Sequence, residues 1–157
     1  MIDELPERLR ICIAIEAGIG AIYEEFYNMF PDAGDLWGRL AIEEKNHASI
    51  LAIGSRYANT GQLPDFVVPD SLTHMKNTLG LVGSVKAAAQ SKNVSIKDAL
   101  EMSLKLEQTL EEEHLPDVMI RETDSQIVVR LQRLLTDTKS HIVKIKDYMK
   151  MTERIGY

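Results

Sequence analysis

A nine-residue motif occurs twice in this chain, and the spacing within it favours a helical fold. The copy at residues 39–47 reads RLAIEEKNH, and the copy at residues 133–141, an offset of 94 positions, reads RLLTDTKSH. The first copy ends in a Glu-x-x-His pair, Glu44 and His47. On an α-helix, residues three positions apart lie on one face a turn from each other, so this carboxylate and this imidazole can reach one metal ion. In the second copy Thr138 takes the place of the glutamate.

The length and composition of the chain are typical of one globular domain. With 157 residues it can bury a substantial core, so we expect a single domain over residues 1–157. The net charge of −6 argues against non-specific binding of nucleic acid. Cys12 is the only cysteine, which excludes an internal disulfide bond and a rubredoxin-type site of four thiolates. No apolar run reaches the roughly 18–20 residues that cross a bilayer, and the start of the chain is not a signal peptide. We therefore expect a cytoplasmic protein without membrane contact.

Hydrophobic periodicity predicts four long amphipathic helices and one shorter helix. The helical period breaks at Pro31–Gly34, near Gly61 and near Ser95, which opens a capping box with Asp98. The segment 60–95 interrupts the pattern and is interpreted as a long connection that carries its own helix. The predicted helices cover about residues 6–29, 34–58, 71–90, 96–120 and 125–152. This order predicts an all-α four-helix bundle in which a long helical crossover joins the second and third bundle helices.

Five side chains that can bind metal interrupt the apolar stripes near the middle of the bundle helices. They are Glu16, Glu44, His47, Glu107 and His141. Because the two helical hairpins have arms of nearly equal length, we expect all five to lie at one level of the interior. A buried carboxylate is costly unless it is neutralised, paired or bound to a cation. Three carboxylates that converge with two histidines therefore predict a divalent metal ion.

The pattern of these residues resembles the ferritin-like di-iron carboxylate proteins, and most closely their rubrerythrin branch. The phrase LAIEEKNH at residues 40–47 is similar to the second helix of rubrerythrins, and Tyr23, seven residues after Glu16, is also typical of them. The resemblance covers essentially the whole chain and implies the ferritin-like fold. It also implies a role for each candidate ligand. Glu16 and Glu107 would be terminal ligands, Glu44 a bridging carboxylate, and His47 and His141 one nitrogen ligand for each metal.

Two features depart from the family pattern. Thr138 stands where a second bridging glutamate belongs, and the chain lacks the cysteine-rich rubredoxin segment of full rubrerythrins. The missing carboxylate leads us to expect a weakened second site, or one ion bound mainly through the intact Glu-x-x-His pair. Glu111 is a candidate substitute ligand, whereas Asp137 lies about 100° away from the apolar stripe of its helix.

Other residues of these types are interpreted without a metal role. The pair Glu111 and His114 also has Glu-x-x-His spacing, but we expect it at the surface because it lies in an acidic run. We expect solvated charges at Glu24, Glu25, Glu43, Glu112 and Glu113, and core-filling side chains at Tyr23, Tyr27, Met102 and Met149.

The leading hypothesis is a metal-binding protein of rubrerythrin type, with iron as the expected metal and manganese or zinc as alternatives. For bound iron, the resemblance implies an oxidoreductase of the peroxidase or ferroxidase type, in which ferrous ions are oxidised while oxygen or peroxide is reduced. Without a rubredoxin segment, the electrons would come from a separate electron donor or from the ferrous ion itself. The alternatives are a non-catalytic iron-handling protein and a metal-free helical scaffold that has lost the di-iron site. We also expect the protein to be a homodimer.

Overall fold

The helical periodicity of the sequence produces an all-helical structure, as predicted. The computed structural model describes residues 4–64, 67–118 and 125–156, and these ranges contain five α-helices and no β-strand. The helices are α1 (Leu5–Met29), α2 (Gly34–Ala58), α3 (Leu72–Gln90), α4 (Ile96–Val118) and α5 (Gln126–Ile155). A 3₁₀ turn at Pro31–Ala33 joins α1 to α2. None of the helices in the described ranges is both long enough and apolar enough to cross a membrane.

Local side-chain chemistry explains several helix ends. Ser71 caps α3, because its hydroxyl accepts a hydrogen bond from the backbone N–H of His74 at 3.3 Å. Ser95 and Asp98 form the predicted capping box before α4, in which each side chain accepts a hydrogen bond from the other residue's backbone N–H at 3.1 Å. Gly156 follows α5 with a φ of 74°, the left-handed conformation that favours glycine at a helix C-terminus.

The helices pack so that α1, α2, α4 and α5 can all reach one interior region. α1 packs along α2 as a hairpin, α4 packs against α5, and α2 also contacts α5. α3 lies against α1 and α4. Gly20 lies at the contact of α1 with α2, where a Cβ atom would be 3.4 Å from both Cβ of Glu44 and Cγ of Lys45. The acidic residue of α1 is thereby brought near the Glu-x-x-His pair of α2.

An aromatic cluster fills the core next to this region. Tyr23, Phe26 and Trp37 are fully buried, and the ring centroid of Trp37 lies 5.0 Å from that of Phe26 and 5.8 Å from that of Tyr23. Tyr27, in contrast, is 49% exposed, so the prediction that it fills the core is wrong. Its ring covers the start of α2, where a Cβ added to Gly38 would lie 3.3 Å from it. This position near the end of α1 leaves about half of the residue exposed to water.

Candidate metal centre

Five buried acidic and imidazole side chains from four helices meet in the interior. Glu16 projects from α1, Glu44 and His47 from α2, Glu107 from α4 and His141 from α5. None of the five is more than 6% exposed. The structure thus brings together all of the candidate ligands that the apolar stripes single out.

The five residues form two ligand groups that share one carboxylate. The first, here termed the His47 group, contains Glu16, Glu44 and His47, and the second, the His141 group, contains Glu44, Glu107 and His141. Within each group the ligand atoms lie within 4.8 Å of one another, a spacing that one coordinated ion can span. Glu44 presents one oxygen to each group, with Oε2 at 3.3 Å from Nδ1 of His47 and Oε1 at 2.8 Å from Nδ1 of His141.

The two imidazole rings face the carboxylates with the same nitrogen. Nδ1 of His47 lies 3.6 Å from Oε2 of Glu16, and Nδ1 of His141 lies 3.3 Å from Oε1 of Glu107. The rings are nearly parallel, at an interplanar angle of 15° and a centroid distance of 5.6 Å. In this arrangement, each of two neighbouring ions would have one Nδ1 atom available as a ligand.

A further carboxylate contacts the other ring nitrogen, Nε2, of each histidine. Oδ2 of Asp137 is 3.2 Å from Nε2 of His47, and Oε2 of Glu43 is 2.6 Å from Nε2 of His141. When Nε2 carries the proton, a hydrogen bond of this kind fixes the ring and leaves Nδ1 available to a metal. Glu43 was expected to be a solvated charge, and the structure instead gives it a contact with a candidate ligand.

The sequence repeat explains the symmetry of these two contacts. Glu43 and Asp137 occupy matching positions in the two copies of the motif, each four residues before a histidine. Each carboxylate contacts the histidine of the other copy, across the interface of α2 and α5. The match of two acidic residues in the repeat was therefore the signal in the sequence that could have identified them.

Four buried polar atoms of the two groups have no hydrogen-bond partner within the described ranges. They are Oε2 of Glu16, Oε2 of Glu44, Nδ1 of His47 and Oε2 of Glu107. An unsatisfied buried donor or acceptor is costly, and in native proteins it calls for an explanation such as an ion or a water molecule. Because these atoms belong to the proposed ligand sets, the residues present fit a bound divalent cation.

Protons compensate part of the negative charge of the centre without a metal ion. Burial and the nearby charge of Glu44 raise the pKa of Glu16 to about 8. Burial disfavours charge on the histidines, but the Glu16 and Glu44 carboxylates raise the pKa of His47 to about 11. Glu107 and Glu44 likewise overcome burial and raise the pKa of His141 to about 10. At neutral pH these three side chains therefore hold protons that a cation would displace.

Thr138 and Glu111 add no ligand atom to either group. Thr138 is buried, and its hydroxyl donates a hydrogen bond to the backbone carbonyl of Leu134 at 3.1 Å. Glu111 is half-buried and does not join the two groups. The side chain of His114 lies outside the described part of the chain. In the described structure, no carboxylate therefore takes the place of the missing glutamate.

Tyr23 makes a contact with the centre that its periodicity does not predict. It is buried, as expected, but its hydroxyl also donates a hydrogen bond to Oε1 of Glu107 at 2.5 Å. Burial and the charge of Glu107 raise the pKa of Tyr23 well above its ordinary value. The phenol therefore keeps its proton and remains a donor to this carboxylate.

Comparisons of the chain with protein-family models, with curated proteins and with solved structures found no match.

Proposed function

We propose that this protein binds one or two divalent metal ions, with iron as the physiological metal, in a ferritin-like bundle of rubrerythrin type. The proposal is carried by the pair of buried ligand groups that share Glu44. One shared carboxylate, with a further carboxylate and an imidazole on each side, is the arrangement expected around two neighbouring cations. In this bundle α1, α2, α4 and α5 would be the four main helices, and α3 would be the crossover.

The donor atoms favour a hard or borderline divalent cation. Imidazole and carboxylate ligands suit iron, manganese and zinc, and the family resemblance of the motif supports iron among them. The three carboxylates supply three negative charges against the four positive charges of two divalent ions. A glutamate at the position of Thr138 would supply the fourth negative charge that balances two divalent ions. We therefore expect the second ion to bind more weakly than the first.

The residues of the chain would position the ions and control water and protons. Bound ferrous iron would supply one-electron chemistry toward oxygen or peroxide. Glu44, with one oxygen toward each histidine, would be a ligand in both groups. The burial of all five ligands would keep bulk water away from them, and Tyr23 would hold a proton at Oε1 of Glu107.

The electrons for repeated turnover would come from outside the centre. Cys12, the only cysteine of the chain, is buried and cannot build a thiolate iron site by itself. A separate electron donor would supply electrons for repeated turnover. Without such a donor, ferrous iron would be the substrate of a ferroxidase reaction in which oxygen or peroxide is the oxidant.

Anaerobic titration with ferrous iron tests the proposal. We expect tight binding of one equivalent and weaker binding of a second. His47→Ala should abolish the tight step, whereas His74→Ala, which removes an exposed histidine from α3, should not change it. Elemental analysis that finds no iron after anaerobic loading would contradict the proposal.

One observation favours a second candidate, a metal-free helical scaffold. The raised pKa values of His47 and His141 allow both rings to carry charge and to pair with the carboxylates, so the polar interior is partly compensated by protons alone. This candidate predicts that neither chelators nor added iron change the thermal stability of the protein. A rise in Tm with ferrous iron that His47→Ala removes would exclude it.

A further inference from the structure

The two ligand groups have different surroundings, although each consists of two carboxylates and one histidine. We propose that the first cation enters the His47 group and that the His141 group binds a second cation at least about tenfold more weakly. The inference rests on the proposed function. Beyond that function, it states which of the two groups binds a cation first. It also names the side chains outside the two groups that determine this order.

Lys144 makes the surroundings of the His141 group less negative. Its Nζ lies 3.1 Å from both carboxylate oxygens of Glu43, which in turn lies 2.6 Å from Nε2 of His141. A lysine in this position offsets the charge of Glu43 and repels a cation bound at the far side of the same ring. Asp137, the corresponding partner of His47, forms no ion pair with a lysine or arginine of the described ranges.

Tyr23 also weakens the His141 group as a cation site. Its hydroxyl donates to Oε1 of Glu107, the same oxygen that lies 3.3 Å from Nδ1 of His141. A carboxylate oxygen that accepts a short hydrogen bond has less electron density to give to a metal. Glu16, the equivalent carboxylate of the His47 group, has no such hydroxyl donor among the described residues, and its Oε2 lies 3.6 Å from Nδ1 of His47.

Stepwise calorimetric titration of the metal-stripped full chain with zinc(II), which has no redox chemistry, tests the order of filling. In the unaltered protein we expect two steps whose affinities differ by at least about tenfold. Lys144→Gln should tighten the second step by roughly tenfold and leave the first unchanged. The matched control is Lys45→Gln, which removes a half-exposed lysine paired with Glu24 and should change neither step.

Asp137→Asn gives the opposite test. It keeps the shape of the side chain but removes the charge behind His47, so the first step should weaken by about 10–100-fold while the second stays the same. Crystals grown with less than one equivalent of zinc should show anomalous scattering among Glu16, Glu44 and His47.

Three results would overturn the inference. They are anomalous scattering from the first ion at the His141 group, two steps of equal affinity in the unaltered protein, and no effect of Lys144→Gln beyond that of Lys45→Gln. All of these outcomes require that zinc binds at the centre. Complete absence of binding would instead contradict the proposed function itself, and the inference with it.

Discussion

Glu44 is the residue on which both ligand groups depend. It lies 2.8 Å from Nδ1 of His141 and 3.3 Å from Nδ1 of His47, and it is 1% exposed. Glu44→Gln keeps the volume but removes the shared charge, so we expect both cations to bind more than about 100-fold more weakly. The measurement is metal titration by calorimetry. Glu24→Gln, a change at an exposed glutamate of α1, is the control that should bind as the unaltered protein does. Unchanged binding in Glu44→Gln would contradict a shared ligand.

Thr138 accounts for the predicted weakness of the second cation. Thr138→Glu would supply the carboxylate that the motif repeat lacks, so we expect it to tighten the second step. In the metal-free protein the same change would bury another carboxylate in the interior and should lower Tm. Added metal should reverse this loss.

The control for this variant is Thr138→Gln, which has a similar volume and no charge. Thermal denaturation with and without metal distinguishes the two variants. An equal response of both to metal would show that charge at this position does not matter.

At the scale of the helices, Gly20 lies where α1 contacts α2 beside the candidate ligands. A Cβ atom there would already lie 3.4 Å from Cβ of Glu44, so the two further methyl groups of valine have no room unless the helices separate. We expect Gly20→Val to lower Tm and to weaken metal binding, because it moves Glu16 away from the α2 ligands.

Gly80→Ala on α3 is the matched control for this change. A Cβ at Gly80 would meet nothing within 4 Å. Replacing a helical glycine by alanine at such a site should stabilise the protein by about 0.5–1 kcal/mol and leave metal affinity unchanged. If Gly20→Val bound metal as tightly as this control, the close approach of α1 and α2 would not be needed for the centre.

The helices and the convergence of the five candidate ligands could be predicted from the sequence because both depend on local periodicity. The second helix, predicted over residues 34–58, is observed at Gly34–Ala58. An acidic or imidazole residue within an apolar stripe must face the interior wherever the stripe packs, so the convergence of the ligands follows from their positions.

The contacts of Glu43 and Asp137 with the two histidines could not be predicted from the periodicity of single helices. Asp137 lies away from the apolar stripe of its own helix, and the periodicity of one helix carries no information about its neighbour. Its contact with His47 depends on how α2 and α5 cross. The hydrogen bond from Tyr23 to Glu107 likewise joins α1 to α4 and depends on packing between distant parts of the chain.

For the whole molecule, the raised pKa values predict how stability depends on pH. In the folded protein the pKa values of His47 and His141 are about 11 and about 10, above the ordinary value of 6.5. Their contribution to folding stability is therefore complete below pH 6.5 and is lost as the pH rises toward 10 and 11. Glu16, with a pKa of about 8 against an ordinary 4.5, also makes the fold less stable as the pH rises from 4.5 to 8. The Tm of the metal-free protein should therefore fall between about pH 6 and about pH 8.

Metal binding should have the opposite dependence on pH. A cation replaces the protons on these side chains, so its affinity increases as the pH rises. The increase in Tm on adding manganese(II) under anaerobic conditions should be larger at about pH 8 than at about pH 6. Thermal denaturation at both pH values measures this difference. A metal-induced shift in Tm that is the same at both values would indicate that the metal does not compete with these protons.

The most direct test of the proposed metal centre is anomalous diffraction at the iron absorption edge, on crystals of the full chain loaded anaerobically with ferrous iron. We expect a strong peak between Glu44 and Nδ1 of His47, and a second, weaker peak between Glu44 and Nδ1 of His141. Crystals that show no peak among these side chains after loading, or peaks only at exposed carboxylates, would contradict a metal site at Glu44.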